Sequence, residues 1–329
     1  MRNNVSGAGD VAALLQRARA GDRGALGRLL TLVERSDEAT AEVQRHVDVG
    51  APGACILGIT GAPGAGKSTL VGALLRHALG AGHRVAVLAV DPSSPFTRGA
   101  LLGDRVRMSP GGLPAADVFI RSLATRGQEG GLSHAAQTCA AVLAACGWPW
   151  IIVETVGAGQ VEVDIAATAD ITVVVLNPGW GDEIQAHKAG MMEIGDIFVI
   201  NKADRPGLMD TRRHLELLLS SRGADAPDVS IVETVATGGQ GIEALWREVM
   251  ACKAVLFTRA PSLRRRRRLE HLLGDALDAH VAARMQRLLS SEAGAGAVAR
   301  LDQGSAHLPE LVDELVAAMF QPPDGTKPD

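Results

Sequence analysis

Nine residues, Gly61-Ala62-Pro63-Gly64-Ala65-Gly66-Lys67-Ser68-Thr69, leave this chain few architectures to choose from. An apolar run, Cys55-Ile56-Leu57-Gly58-Ile59, precedes them, and a helical pattern with Leu70, Val71, Leu74, Leu75 and Leu79 on one face follows. The order is strand, glycine loop, helix. Glycines let successive backbone N–H groups turn inward around phosphate oxygens, and the helix N-terminus adds the positive end of its dipole. In such a loop Lys67 reaches the β- and γ-phosphates and the Ser68 hydroxyl can ligate Mg²⁺. A nucleoside triphosphate is the expected ligand.

The rest of the chain repeats the alternation. Apolar, β-branched runs stand at Arg84–Val90, Val118–Ile120, Trp150–Val153, Ile171–Leu176, Ile197–Ile200 and Val229–Val232, with helical stretches between them, including a small-residue one around 131–146. Continuous apolar strands separated by helices predict a mostly parallel sheet sandwiched by helices, a P-loop α/β fold. Ligands of such sheets lie at the carboxyl ends of the strands, where Gly61, Asp91, Glu154, Asn177 and Asn201 fall. We expect this domain to span 51–257, after an N-terminal helical segment, 1–50, and before a C-terminal helical extension, 258–329. Aromatic residues make up only 3% of the 329 residues and tyrosine is absent, so Ala, Val, Leu and Ile must build the core. A net charge of −4 gives no general pull toward nucleic acid or an anionic membrane. No basic stretch leads into an apolar one at the N-terminus, and no apolar run is long enough for a membrane span, so a cytoplasmic location is expected. Cys55, Cys139, Cys146 and Cys252 are scattered among apolar or helical residues and read as buried free thiols.

Three further stretches narrow the chemistry. Asn201-Lys202-Ala203-Asp204 follows a strand directly. A carboxylate there can accept both N1–H and the 2-amino group of guanine, and a wrong base leaves that charge unmatched, so the nucleotide should be GTP. A loop after the next strand, Val235-Ala236-Thr237, stands where a backbone N–H could meet the guanine oxygen; an ordinary connecting loop is the competing reading. Glu154-Thr155-Val156-Gly157 ends another strand. Nucleotide hydrolases need a carboxylate at this place to hold Mg²⁺, and glutamate in place of aspartate points to an outer-sphere contact. Asp91 and Asp104 flank a Pro/Ser loop, 92–99, that reads as a switch, with a strand-end turn and a surface salt bridge as the plain alternatives. After Gly157 comes Ala158 rather than a water-orienting glutamine, and Gln160 lies two further on, so slow intrinsic hydrolysis is expected. Arg264–Arg268, five arginines in a row, read as a solvated helix start. Ser290–Gly296 reads as a turn before a last amphipathic helix with Leu311, Leu315, Val316 and Met319.

With these residues assembled, the chain resembles the methylmalonyl-CoA mutase-associated GTPases, a family also described as lysine, arginine and ornithine transport-system ATPases or kinases. The resemblance runs through the phosphate loop, Ala89-Val90-Asp91-Pro92-Ser93-Ser94, Leu102-Gly103-Asp104-Arg105, Phe119-Ile120-Arg121-Ser122, Glu154-Thr155-Val156-Gly157-Ala158-Gly159-Gln160, Gly181-Asp182, Lys188-Ala189-Gly190 and Asn201-Lys202-Ala203-Asp204. It implies a chaperone that guards an adenosylcobalamin-dependent acyl-CoA mutase, gating cofactor delivery and release by GTP binding and hydrolysis, with a cobalamin adenosyltransferase as a further partner. By position, it gives Lys67, Asp91, Asp104 and Glu154 catalytic roles and Ser68, Asp91, Asp104 and Glu154 the Mg²⁺. Residues 61–69, Asn201, Lys202, Asp204 and the 235–237 loop would hold GTP or GDP. The loop 178–188 looks like the family's third switch, and the helices after 261 look like its homodimerisation arm. Two rivals remain: a kinase or ATPase of basic amino acid transport, and another metallocentre-assembly GTPase. The nine histidines are dispersed and the cysteines are not clustered, which counts against a nickel-delivery GTPase.

Overall fold

A computed structural model describes residues 8–35, 37–48, 54–91, 115–124, 131–155, 165, 168–179, 192–220, 229–258 and 263–319. Asp104, Gly157, Ala158, Gln160 and positions 180–188 lie outside the described residues, as does the Asp91 side chain.

The strands are β1 (Cys55–Gly61), β2 (Val85–Asp91), β3 (Val118–Ala124), β4 (Trp150–Thr155), β5 (Ile171–Leu176), β6 (Ile197–Asn201) and β7 (Ser230–Thr234). They form one sheet in the order β3-β2-β4-β1-β5-β6-β7, and every neighbouring pair is parallel. Between them run α4 (Lys67–Gly80), α5 (Gly131–Ala145) and α6 (Leu208–Ser220); α7 (Ile242–Thr258) follows β7, and α1 (Ala8–Arg19), α2 (Arg23–Arg35) and α3 (Asp37–Gln44) precede β1.

Alternation along the strands divides the apolar side chains between two layers. Val85, Val87, Trp150 and Ile152 face the layer that holds α4 and α7, with Leu70, Leu74, Leu245 and Val249. Ala86, Leu88, Ile151 and Val153 face α5 and the N-terminal helices, with Leu26, Leu29, Leu30 and Leu143. Each fully buried Leu or Ile contributes about 1.5–3 kcal/mol, which is how α1–α3, short on their own, are fixed to the sheet. Arg121 on β3 adds a polar tie, donating to Thr31 Oγ1 (2.9 Å) and Glu34 Oε2 (2.7 Å) of α2. Cys55 and Cys139 are buried, whereas Cys146 and Cys252 are only partly so; all four are free thiols. Burial pushes the Cys146 thiol up to about 11 and Cys139 further, so both stay protonated near neutral pH.

Two compact units divide the chain, Met1–His271 and Leu272–Asp329. The division falls within α8 (Leu263–Leu289), which takes in the five arginines. In the second unit α9 (Glu292–Asp302) precedes α10 (Leu308–Met319). The stretch expected as a turn over 290–296 is helical from Glu292. Ser291 caps it, its hydroxyl accepting the Gly294 N–H at 3.5 Å. The small residues serve proximity rather than flexibility. A Cβ on Gly294 would lie 2.5 Å from the carbonyl oxygens of Leu288 and Leu289, so only glycine lets α9 start so close to the end of α8.

Candidate nucleotide site

β1 leaves the sheet at Gly61, whose φ is +128°. A Cβ there would sit 2.1 Å from the carbonyl oxygen of Val175 on β5, the same oxygen that accepts the Ala62 N–H at 3.0 Å. Gly64 (φ +70°) and Gly66 (φ +90°) complete the turn, and Gly66 caps α4 with no side-chain hydrogen bond. The first-turn N–H groups of α4 therefore face the loop without a side-chain acceptor, which is the arrangement that receives an anion. Lys67 is 94% buried by its 6% exposure, and its Nζ donates to Gly61 O (2.7 Å) and Ala62 O (3.1 Å). The ammonium thus lies across the loop it would serve. Gly61→Ala is expected to cost about 3 kcal/mol or more in stability, from left-handed strain and the backbone clash together, and to abolish nucleotide binding. Chemical denaturation with and without GDP reads both effects; unchanged binding would contradict this loop geometry.

On the other side of the loop, the pairing of Ile59 with Glu154 sets the end of β4 beside α4. Ser68 Oγ donates to Glu154 Oε1 at 2.6 Å, and Glu154 is only 1% exposed. A hydroxyl and a carboxylate oxygen so close form a hard-oxygen donor set, which suits Mg²⁺. Thr155, turned to the opposite face, donates to Thr60 Oγ1 at 3.3 Å. Asp91 ends β2, next to β4 in the sheet, so its backbone stands at the same carboxyl edge.

Two neighbouring residues, Asn201 and Lys202, join the expected base motif to the phosphate loop. Asn201 is 2% exposed; its Nδ2 donates to Ala65 O (2.8 Å), and its Oδ1 accepts from Thr234 Oγ1 (3.1 Å) and Ala236 N (3.2 Å). Phosphate loop, base motif and the loop after β7 are thereby one hydrogen-bonded unit. Lys202 follows with φ +58°, an uncommon conformation for a residue with a Cβ, and its Nζ donates to Gly64 O at 2.6 Å. Asp204 stands exposed in the next turn, where the Ala203 N–H bonds to Thr234 O (3.0 Å). In the 235–237 loop, Val235 N–H goes to Gln240 O (3.1 Å) and Ala236 N–H to Asn201, while Thr237 is exposed at the turn. Two of this loop's three N–H groups, one of which was expected to meet the guanine oxygen, are thus engaged by protein.

Sequence reasoning took Asn201 as a base reader and missed that it is the fastener between loops. It also missed Thr234, whose signal is a hydroxyl placed opposite Asn201 in the β6–β7 register. Gly66 belongs to the same joint, because a Cβ on it would meet Asn201 Nδ2 at 2.6 Å. Asn201→Ala should destabilise the fold by about 2–3 kcal/mol, since it removes a partner from three buried groups. It should also weaken nucleotide binding; a melting temperature equal to that of the parent would contradict the fastener role.

The family profile described as "Methylmalonyl Co-A mutase-associated GTPase MeaB" matches residues 26–288. The chain belongs to that family. A Pyrococcus abyssi relative named as a GTPase is 46% identical over 279 residues, covering 83% of this chain and 86% of that one. The GTPase ArgK of Escherichia coli is 36% identical over 252 residues, covering 74% and 76%. The fused isobutyryl-CoA mutase of Geobacillus kaustophilus is 37% identical over 215 residues, which is 61% of this chain but 19% of that much longer protein. Among solved structures, one titled "Crystal structure of LAO/AO transport system kinase" superposes with a TM-score of 0.66 at 25% identity, covering 97% of this chain and 100% of that one. Membership in this GTPase family, with a P-loop site on a seven-stranded parallel sheet, makes the chain a nucleotide-binding protein of the hydrolase type. Among the described residues, no helix is long and apolar enough to cross a membrane.

Proposed function

We propose that this chain is a GTP-binding and GTP-hydrolysing chaperone of an adenosylcobalamin-dependent acyl-CoA mutase, gating cofactor delivery and protecting or reactivating the mutase. The observation that supports the guanine-nucleotide part is the Asn201 joint, which ties the strand end three residues before Asp204 to Ala65 of the phosphate loop. The mutase part is supported by a relative named as a fused isobutyryl-CoA mutase, 19% of whose length matches this chain.

In this reading the N–H groups of residues 61–69 and Lys67 grip the β- and γ-phosphates, while Asp204 reads guanine. Ser68 and Glu154 would hold Mg²⁺, with Asp91 and Asp104 completing its surroundings, and the ion would supply charge neutralisation to the phosphates. Lys67 then exchanges its carbonyl partners for phosphate oxygens, and Glu154, already aimed at Ser68, keeps the hydroxyl oriented. Ala158 offers no side chain to orient water, so hydrolysis is slow until a partner reorders the site. The loop 178–188 reports nucleotide state to the mutase. Residues 258–329 form the homodimer arm, where Leu273, Leu277, Val281 and Met285 lie exposed along α8. A cobalamin adenosyltransferase is a further partner.

Size-exclusion chromatography of the full chain with a purified adenosylcobalamin-dependent acyl-CoA mutase tests the proposal. Co-elution that differs between GDP and a non-hydrolysable GTP analogue is expected, with faster GTP hydrolysis in the mixture. No co-elution in either state, with no change in rate, would remove the chaperone role. The kinase title of the structural neighbour favours a second reading, an ATP- or GTP-dependent kinase of a transport system. Phosphoprotein formed from ATP in preference to GTP would establish that reading instead; Asn201–Asp204 argues against it.

A further inference from the structure

A cleft of about 470 Å³ opens between α1, α2 and β3, away from the phosphate loop. Its volume lies within the range of small-molecule sites. Leu14 and Leu32 give it apolar walls, and at Gly24 and Gly27 α2 adds no side chain. Three guanidinium groups also line it, Arg17, Arg28 and Arg121, against one carboxylate, Asp10.

The three cations are not equivalent. Arg17 is paired with Asp22 (2.5 Å) and Arg121 with Glu34 (2.7 Å), so both guanidinium groups are already ordered. The Nε of Arg121 is buried with no hydrogen-bond partner, so Glu34 and Thr31 do not exhaust that group's capacity. Arg28 is exposed and forms no ion pair among the described residues. An ordered cation loses little freedom when it binds, and an uncompensated one gains most from an anion. The planar fork of a guanidinium matches a carboxylate, and Asp10 disfavours a second negative charge on the ligand. We infer that this cleft binds a small monocarboxylate with a compact apolar body, its charge held chiefly by Arg28 and its body lying over Gly24 and Gly27. The site is separate from the nucleotide-binding residues, and the inference stands whether or not the chaperone role does.

The probes are 2-naphthoate and 2-naphthyl phosphate, titrated by fluorescence into the full chain with and without saturating GDP and Mg²⁺. Saturable 2-naphthoate binding that GDP does not displace, and tighter than that of the phosphate, is expected. Arg28→Ala should weaken it about tenfold, the loss of one charge-assisted contact. Gly27→Leu should abolish it by filling the cleft. A Cβ at Gly27 has nothing within 4 Å, and leucine favours helix, so thermal stability should not fall. No saturable binding, tighter binding of the phosphate, displacement by GDP, or undiminished binding in either variant would overturn the assignment.

Discussion

Lys67→Ala is expected to lower GTP turnover by about 10³-fold or more while leaving the protein folded, because a preorganised charge aimed at the transferring phosphoryl group contributes at least as much as a single neutral oxyanion donor. The second half of that expectation comes from the structure. The Lys67 ammonium is buried and bonded to Gly61 O and Ala62 O. Alanine removes the desolvation cost of a buried charge and also leaves two carbonyls with one partner fewer. These opposing effects are each a few kcal/mol, so the net change in stability should be about 1 kcal/mol. Single-turnover hydrolysis and a melting curve on the same preparation separate the two. Full activity would mean the lysine faces the loop for structural reasons alone. A collapsed melting temperature would mean that its carbonyl bonds hold the loop together.

Asp204→Asn has the second-largest expected effect, and it falls on selectivity. The carboxylate offers two acceptors to the N1–H and 2-amino donors of guanine. Asparagine keeps one acceptor and turns an NH₂ toward a donor, so about 3–6 kcal/mol of charge-assisted bonding is forfeited, or roughly 10²–10⁴ in guanine-nucleotide affinity. The exposed position of Asp204 means that folding should change by no more than about 0.5 kcal/mol. The same substitution should favour xanthine nucleotides, which carry an acceptor oxygen where guanine has its 2-amino group. Unchanged preference for GDP over XDP would show that the base is read elsewhere.

The strand positions were legible because a buried parallel sheet writes itself as apolar, β-branched runs. Ile171–Leu176 was found to the residue, and β3 was underestimated only because Arg121 and Ser122 interrupt its apolar run. Arg121 belongs to the strand because α2 supplies Thr31 and Glu34 to its guanidinium, a long-range compensation that no local pattern displays. The reading of 290–296 failed for a related reason. Gly294 and Gly296 look like turn residues, yet Ser291 caps a helix there and Gly294 is required by close contact with the end of α8. At the candidate nucleotide site, residue types pointed to Lys67, Ser68, Glu154 and Asn201. They could not reveal that Asn201 bonds to Ala65 across 136 positions, since side-chain partners are set by the sheet register.

The guanine-reading pocket is the claim on which the rest depends, and titration calorimetry of the purified chain with GDP and with ADP, both with Mg²⁺, tests it most directly. GDP should bind at one site per chain at least 100-fold more tightly than ADP, the discrimination expected when a charged reader is left unmatched by the wrong base. Equal affinity for the two nucleotides would contradict the assignment of Asp204, and with it the GTP-dependent switch.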